Sequence, residues 1–310
     1  MNDATLRGRI FIVGVPRSGT TLLQALLAGH EQVTSFTESH FFSSHYNCVP
    51  LLGALLTADP SVRVARFLEE NTCQSRRVYE GFQHKLPATI RLPALRALHS
   101  HTVARCLVEM LDEFGISRGA PVWLEKTPRH LQFLPLIERA TNDGIPTRFV
   151  HVIRDGLATV TSLYRASTSW ERAYSLEECV QRWNQDMART VANLASPSHC
   201  VVRYEALVDD PDSVLVPLLQ TLELPRQGDL IPRISDEAAL IIKEEETWKA
   251  GVTAGMNRAP VATEALKESE QVRVVAALRQ DLFELAAHRA LGKAMDAAHG
   301  GKEANSIKGV

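Results

Sequence analysis

The sequence predicts an α/β fold of three layers, in which a central parallel sheet of about four to five strands is flanked by helices. Two observations support this prediction. Short apolar runs recur along the chain, as is typical of strands buried on both faces of a parallel sheet. Between these runs, leucine and valine residues repeat at helical spacing, so that strands and helices alternate.

The first strand, loop and helix form the segment around which we expect the chain to be organised. A short apolar run begins next to Arg9 and ends at a loop that extends from Gly14 to Gly19. Leucines at helical spacing follow this loop, namely Leu22, Leu23, Leu26 and Leu27. The free N–H groups of the first helical turn and the helix dipole then form a site for a phosphate-like anion.

The spacing of this loop is nearly that of a nucleoside triphosphate P-loop, G-x-x-x-x-G-K-[ST]. Gly14 and Gly19 match the pattern, but Thr20 stands where the lysine is expected, and the cation of the loop is Arg17. A kinase or ATPase without that lysine loses the charge that follows the β- and γ-phosphates. We therefore predict a P-loop-like fold whose loop does not hold ATP in the usual way. The alternative is a glycine-rich turn that only joins strand to helix.

The composition is ordinary for a soluble globular enzyme, with 45% hydrophobic and 23% charged residues. The chain of 310 residues is long enough for one large domain, which we predict over residues 1–296, followed by a flexible tail over 297–310. The formal net charge of −2 gives no case for nucleic-acid binding or a polybasic membrane surface. An anion site must therefore be built from a few placed cations.

The cysteines and histidines give no sign of a disulfide framework or a metal site. The five cysteines are scattered and never in C-x-x-C spacing. His99 and His101 form an H-x-H pair, but residues two apart on a helix do not face each other, so we expect no bound metal. No apolar run approaches the roughly 20 residues that span a bilayer, and no secretory signal is evident. We expect a cytoplasmic protein; the sequence leaves its oligomeric state open, a homodimer included.

Polar side chains follow four further apolar runs at the points where the predicted strands end. In a parallel α/β sheet, ligands bind beyond the carboxyl ends of the strands. We therefore expect these side chains to lie on the same rim as the anion loop. They are Glu38, Lys126, Arg154 and Tyr204. Asp155 is expected to cap the helix that follows Arg154.

Four further segments are interpreted more coarsely. Residues 41–120 show no strand alternation and are predicted to be a helical insertion on the acceptor side. Helices are also expected from about residue 129 to 140 and from about residue 264 to 291. The loop 244–260, which contains Lys249, is a candidate lid that closes over a ligand; a solvated surface loop is the alternative.

Several separated motifs together resemble the sulfotransferase family. Residues 15–22 resemble its 5′-phosphosulfate loop, and residues 152–156 with Ser162 resemble its 3′-phosphate motif. Residues 125–128 and 202–208 look like two further family segments, in the family's order. The resemblance covers roughly residues 9–260. The first two motifs are specific in combination, whereas neither is specific alone.

The resemblance implies 3′-phosphoadenosine 5′-phosphosulfate (PAPS) as the donor substrate and transfer of its sulfuryl group to a hydroxyl or amine. It implies no metal, because side chains and backbone donors neutralise the charge of the donor. For the nucleotide site it implies Arg17, Ser18, Gly19, Thr20, Thr21, Arg154, Ser162, Tyr204 and Lys249.

The position of the catalytic base distinguishes two branches of this family. Cytosolic sulfotransferases use the histidine of a Lys-Thr-His segment, but Lys126 and Thr127 are here followed by Pro128. Tyrosylprotein sulfotransferases use an acid after the first helix, which Glu38 matches, and their loop also reads Pro-Arg-Ser-Gly-Thr-Thr. The resemblance thus implies Glu38 as general base, with Lys126 and Arg17 as further catalytic residues.

The alternatives remain open at the level of sequence. Glu38 is otherwise a solvated loop acid or a helix cap, Lys126 a surface cation, and Arg154 the partner of a carboxylate. His40 and His130 are the alternative bases. A small-metabolite kinase and a non-catalytic nucleotide-binding homologue are the rival functions. The insertion looks unlike the tyrosylprotein branch, so the acceptor is left as a small molecule, sugar, lipid or peptide.

Overall fold

A computed structural model describes residues 5–49, 52–71, 76–170, 172–227, 230, 236–237 and 266–292. Within these residues the chain forms seven strands, which are β1 (Gly8–Gly14), β2 (Val33–Ser35), β3 (Tyr46–Val49), β4 (Gly53–Leu56), β5 (Val122–Lys126), β6 (Thr147–Ile153) and β7 (His199–Arg203). Five of them form one parallel sheet in the order β2-β5-β1-β6-β7, and β3 pairs with β4 in an antiparallel hairpin. The predicted α/β fold with a central parallel sheet is confirmed.

Twelve α-helices are described around this sheet. They are α1 (Thr20–Ala28), α2 (Phe41–His45), α3 (Ser61–Glu70), α4 (Arg76–Lys85), α5 (Ser100–Ser117), α6 (Leu134–Ala140), α7 (Gly156–Ser167), α8 (Leu176–Asn193), α9 (Tyr204–Asp209), α10 (Pro211–Thr221), α11 (Glu268–Ala277) and α12 (Gln280–His288). Short 3₁₀ turns cover Ala88–Arg91, Pro93–His99 and Pro128–Phe133. None of the described helices is both long and apolar enough to cross a membrane.

The central strand β1 is buried on both faces, as its apolar sequence predicts. Phe11 and Val13 belong to a hydrophobic cluster on one side of the sheet, and Ile10 and Ile12 to a second cluster on the other side. This alternation follows from the two-residue period of a strand. Helices therefore cover both faces, and the polar groups of the site are confined to the edge where the strands end.

The strand registers bring the carboxyl ends of the five strands together. Ile12 of β1 lies opposite Lys126 of β5, and Gly14 lies opposite Val152 of β6. At the far edge, Ile153 lies opposite Arg203 of β7. The residues that directly follow β1, β6 and β7 are consequently neighbours along one rim.

Side-chain caps fix the start of several helices. The Asp155 carboxylate accepts a hydrogen bond from Ala158 N–H at 2.8 Å, which confirms its predicted role as the cap of α7. Asp210 caps α10 in the same way. Ser175 and Glu178 form a reciprocal capping box at the start of α8. Each cap satisfies backbone donors that have no helical acceptor.

Helices α2 to α5 lie in the helical insertion predicted over residues 41–120, but the prediction of helix is wrong at Tyr46–Val49 and Gly53–Leu56. These residues form the β3–β4 hairpin, in which Tyr46 lies opposite Leu56. Both side chains are buried, whereas Leu52 is 69% exposed. Four leucines within six residues fit helical spacing as well as a hairpin, because short apolar runs do not distinguish the two.

Two predicted helices are each divided in the structure. The segment from residue 129 to 140 begins as a 3₁₀ turn and becomes α6 at Leu134, where Pro135 occupies the first helical turn. The segment from 264 to 291 contains α11 and α12, separated at Leu278. The Leu278 side chain packs against α7 so closely that a Cβ on Gly156 would lie 2.6 Å from it. The chain is therefore not helical at Leu278, where the side chain packs against α7.

Arg9 is a charged residue that lies in β1, directly before the apolar run from which this strand is predicted. Its guanidinium is buried and forms ion pairs with Asp112 of α5 at 2.6 Å and with Asp143 at 2.8 Å. The Trp123 indole donates to the same Asp112 at 2.9 Å. A buried cation is tolerated here because two edges of the guanidinium donate hydrogen bonds to carboxylates.

The remaining predictions about organisation are not tested. The single-domain boundary at residue 296 stays a prediction. The candidate lid 244–260 with Lys249 and the tail 297–310 lie outside the described residues.

Candidate functional site

Each strand of the sheet contributes one predicted side chain to the carboxyl rim. Arg17 follows β1, Glu38 follows β2, Lys126 ends β5, Arg154 follows β6, and Tyr204 follows β7. Because neighbouring strands end side by side, residues that are far apart in sequence line one edge. The structure thus brings together the residues that the sequence assigned to this edge; Lys249 lies outside the described residues.

The loop after β1 adopts backbone conformations that explain its glycines. Gly14 and Gly19 have φ angles of 153° and 97°. A Cβ on Gly14 would lie 2.5 Å from the carbonyl oxygen of Val152, and a Cβ on Gly19 would lie 2.3 Å from the Tyr204 ring. Arg17 also lies in the left-handed region, with φ 77°. A non-glycine residue in this region is strained, and such strain is concentrated at functional sites.

Ser18 provides an unsatisfied polar atom inside this loop. The residue is 0% exposed, and its hydroxyl has no hydrogen-bond partner in the described part of the chain. Helix α1 starts two residues later, with Thr20 and Thr21 buried at its first turn. Leaving a buried hydroxyl unpaired costs about 1–3 kcal/mol, and an oxygen-rich anion at this helix terminus would offset that cost.

Arg17 links the two motifs that the sequence separates by more than a hundred residues. Its Nε donates to the Ser162 hydroxyl of α7 at 3.2 Å, and its carbonyl accepts from the Arg154 guanidinium at 3.2 Å. Arg154 and Ser162 are eight residues apart in the sequence, which corresponds to about two helical turns. In the structure the loop arginine joins them.

Arg154 stacks on an aromatic ring. Its guanidinium carbon lies 4.4 Å from the centre of the Tyr204 ring, and its own carbonyl accepts from the Trp183 indole at 3.4 Å. The described contacts of the guanidinium are thus a carbonyl and a ring, which hold the fork in place without neutralising it. This geometry is suited to an anionic ligand rather than to the carboxylate pairing considered above.

Glu38 and Lys126 form a buried ion pair at the end of β5. Lys126 is 1% exposed and Glu38 is 11% exposed at the side chain. Lys126 Nζ contacts Glu38 Oε1 and also donates to the Thr21 hydroxyl at 3.2 Å. The surface-cation interpretation of Lys126 is therefore wrong, and Glu38 is not a solvated loop acid. A carboxylate, an ammonium group and the first turn of α1 lie together.

His40 lies beside the second carboxylate oxygen of Glu38. Its Nε2 is 3.4 Å from Glu38 Oε2, and its backbone is left-handed with φ 55°. Burial lowers the pKa of His40 to about 4, against the opposing effect of Glu38, and Arg63 lowers it further. The lowered pKa favours the neutral form of His40 beside Glu38.

His130, the other alternative base, is fully buried and is held by a second carboxylate. Its Nδ1 lies 3.0 Å from Glu125 Oε2, and Glu125 also accepts from the hydroxyl groups of Ser39 and Thr127. Burial by itself raises the pKa of Glu125, but His130 and these hydrogen bonds outweigh burial, so the pKa lies below its usual value. Through Ser39, this network holds the loop that carries Glu38. His130 is not exposed to solvent.

Two residues at this site were missed at the level of sequence. Glu125 lies next to Lys126 but faces the opposite way, as alternate residues of a strand do. Arg63 reaches the loop from α3 and donates to the carbonyl oxygens of Glu38 and Ser39. Because side chains alternate along a strand, the sequence of β5 could have indicated Glu125. Nothing in the sequence relates Arg63 to Glu38.

The described residues contain no cluster of three or more histidine, cysteine, aspartate or glutamate side chains arranged to hold a metal ion. His99 and His101 contact Thr89 and the Arg139 carbonyl separately. A kinase needs an acid that holds magnesium, and Asp155, the candidate at the end of β6, is engaged as the cap of α7. Nothing in this arrangement supports the kinase alternative.

The known proteins to which this chain is similar are sulfotransferases. Residues 9–229 match the model of a family described as "Sulfotransferase family". A protein-tyrosine sulfotransferase of Drosophila melanogaster is 25% identical over 222 residues, which are 70% of this chain and 38% of that protein. Protein-tyrosine sulfotransferase 1 of Danio rerio is also 25% identical, over 53% of its length. The chain thus matches about half or less of the length of these relatives.

Two solved structures share the fold. The sulfotransferase domain of the curacin biosynthetic pathway has a TM-score of 0.55 and 19% sequence identity, covering 88% of this chain and 97% of that domain. The sulfotransferase domain of the Synechococcus PCC 7002 olefin synthase has a TM-score of 0.57 and 17% identity, covering 93% and 96%. At these identities the likeness concerns the fold alone.

Proposed function

This chain belongs to the sulfotransferase family, and on that premise we propose that it transfers the sulfuryl group of PAPS to a hydroxyl or amine of an acceptor. In this proposal Glu38 is the general base. The observation that carries it is the position of Lys126, which is buried and contacts both Glu38 and Thr21 at the first turn of α1. This position supports the proposal, because a carboxylate that can accept a proton and a cation lie beside the first turn of α1.

The residues of the loop fit the donor substrate. The unpaired Ser18 hydroxyl, the first turn of α1 and the Arg17 guanidinium offer hydrogen bonds to the 5′-phosphosulfate. Arg154 and Ser162 would hold the 3′-phosphate, with Tyr204 keeping Arg154 in place. A 5′-phosphosulfate lacks the β- and γ-phosphates that a P-loop lysine serves, so Thr20 in place of lysine is compatible with this donor.

The proposed reaction is an in-line displacement at sulfur. Glu38 accepts the proton of the acceptor, whose oxygen or nitrogen forms a bond to sulfur while the bond from sulfur to the 5′-phosphate oxygen breaks. Negative charge moves from Glu38 to the leaving adenosine 3′,5′-bisphosphate (PAP). Protonation of Glu38 removes the negative charge that holds the Lys126 ammonium group. Lys126 can then stabilise the charge that develops on the bridging oxygen. General-base catalysis is typically worth 10²- to 10⁴-fold, and one charge-stabilising donor about 3 kcal/mol.

The acceptor is proposed only as a nucleophilic hydroxyl or amine. A tyrosine side chain is one candidate, because the curated relatives are named protein-tyrosine sulfotransferases. A simple phenol, a sugar and a long-chain alcohol represent the other classes that the sequence leaves open. An acceptor panel should therefore contain a tyrosine peptide, each of these compounds and a primary amine.

The proposal is tested by two measurements on the purified full chain. Calorimetry should detect binding of PAP and no binding of ATP with magnesium. Incubation with PAPS carrying labelled sulfate should transfer label to at least one member of the panel. Binding of magnesium–ATP in preference to PAP would support a kinase, and PAP binding without transfer to any acceptor would support a non-catalytic homologue.

A further inference from the structure

The loop that carries Glu38 has no regular secondary structure, and side chains hold its backbone. The Phe36 carbonyl accepts from the Gln24 amide at 2.7 Å, and the Thr37 N–H donates to the Asn71 side chain at 3.0 Å. The Ser39 N–H donates to Glu125 at 3.2 Å. Buried backbone groups need such partners, since an unpaired one is costly. The conformation of this loop is therefore set by residues from other elements.

Arg63 binds the backbone of Glu38 and of the residue that follows it. Its Nη2 donates to the Glu38 carbonyl at 2.9 Å, and its Nε donates to the Ser39 carbonyl at 2.7 Å. The side chain is 14% exposed and is oriented by Glu70, which lies two turns further along the same face of α3. A planar guanidinium can reach two consecutive carbonyls at once, which a lysine ammonium on a flexible stem does not reproduce.

We propose that Arg63 is a positioning residue for the sulfuryl-transfer reaction. By holding the carbonyls of Glu38 and Ser39, it fixes the backbone from which the Glu38 carboxylate points at Lys126. Arg63 touches the backbone of the base and not its carboxylate, so it acts through Glu38. The inference rests on the proposed role of Glu38, and it gives the insertion between β2 and β5 a direct part in arranging the base.

A purely structural role is the competing explanation. Arg63 shares Glu70 with Arg66, whose Nε lies 2.8 Å from that carboxylate, and these pairs stabilise α3. Arg66 is 64% exposed at the side chain. Arg66→Gln is therefore a matched control, because it removes an ion pair with Glu70 and leaves the loop carbonyls with Arg63.

The first experiment separates the two explanations by kinetics, with the acceptor that the panel identifies. Arg63→Gln should lower kcat by about 10- to 100-fold, since a misplacement of about 1 Å can cost 10²-fold. The KM for PAPS, the Kd for PAP and Tm should stay close to those of Arg66→Gln. Arg63→Lys, which keeps the charge, should fall between Arg63→Gln and the wild type. A kcat for Arg63→Gln equal to that of Arg66→Gln would overturn the proposal.

A double-mutant comparison tests whether Arg63 acts through the base. In the Glu38→Gln background, Arg63→Gln should change the residual rate by less than about twofold. An undiminished loss in that background would overturn the proposal. If Arg63→Gln lowers Tm so far that PAP binding is lost, Arg63→Lys takes its place in both comparisons, and wild-type kcat for Arg63→Lys would then contradict it.

The second experiment needs no acceptor and so remains informative if the proposed function fails. Hydrogen–deuterium exchange in the peptide spanning residues 36–42 should be at least about tenfold faster in Arg63→Gln than in Arg66→Gln. Equal exchange in the two variants would overturn the proposed positioning. Transfer that depends on Glu38 but not on Arg63 would refute this inference alone, whereas absence of transfer to every acceptor would refute the proposed function.

Discussion

Gly19 and Tyr204 are packed so closely that a Cβ on Gly19 would lie 2.3 Å from Cδ2 of the tyrosine ring. The same ring lies against the Arg154 guanidinium, whose central carbon is 4.4 Å from the ring centre. The first residue after β7 thus separates the anion loop from the arginine at the end of β6 and holds both. The spacing between the two predicted phosphate sites is therefore fixed by protein packing.

Gly19→Ala should disrupt this arrangement. The methyl group would displace Tyr204, and the φ angle of 97° is unfavourable for alanine. We expect a loss of about 1–3 kcal/mol, measured as a weaker Kd for PAP by calorimetry. Gly119→Ala is the control, since Gly119 has φ 80° but no atom within 4 Å of an added Cβ. Equal effects of the two substitutions on PAP affinity would contradict the packing argument.

Arg154→Ala should discriminate between two ligands. Loss of a charged hydrogen-bond donor costs about 1.5–3 kcal/mol, so the Kd for PAP should rise by roughly 10- to 100-fold. An analogue without the 3′-phosphate should be affected far less. Isothermal titration of both ligands against both proteins provides the comparison. Equal losses would remove Arg154 from the 3′-phosphate site.

Arg9→Met should destabilise the fold without acting at the rim. It leaves Asp112 and Asp143 without their shared cation, and removal of one partner from a buried ion pair costs about 3–5 kcal/mol. Asp143→Asn should cost less, because Asp143 is 32% exposed and its interaction is weakened by solvent. Urea denaturation measures both values. The reverse order of the two losses would show that burial does not determine the strength of this network.

The buried histidine His151 should make stability depend on pH. Burial lowers the pKa of His151 to about 3, with a further contribution from His199. Below the usual value of 6.5, the unfolded chain binds a proton that the folded chain does not, so stability falls as the pH decreases from 6.5 towards 3. The slope expected for one such group is about 1.4 kcal/mol per pH unit.

This dependence is measured by urea denaturation at several pH values. His151→Gln should flatten the dependence between pH 6 and about pH 4, because glutamine does not titrate. His199 lies 2.8 Å from His151 and also has a lowered pKa caused first by burial, so part of the slope should remain. An unchanged slope in the variant would show that His151 does not contribute.

The sheet and its functional rim were predictable from the sequence because local patterns determine them. Buried parallel strands appear as apolar runs, and the residue after each run is a candidate for the rim. Glu38, Lys126 and Arg154 were located by this argument, and the structure brings them to one edge.

The residues that were not predicted depend on contacts between distant segments. Arg63 reaches Glu38 only because α3 packs against the loop, and Arg9 is tolerated in β1 only because Asp112 and Asp143 meet it. The β3–β4 hairpin was mistaken for helix because its leucines satisfy both periodicities. For Arg63 and Arg9 the determining interaction is tertiary and leaves no local signal, whereas the hairpin has a local signal that is ambiguous.

The most direct test of the account is the turnover of Glu38→Gln with PAPS and the acceptor identified by the panel. Loss of the general base should lower kcat by at least about a hundredfold. Glutamine nearly preserves the shape of the side chain, so the Kd for PAP should remain within about twofold of that of the wild type. Near-normal turnover with unchanged PAP affinity would contradict the account and would transfer the role of base to another residue.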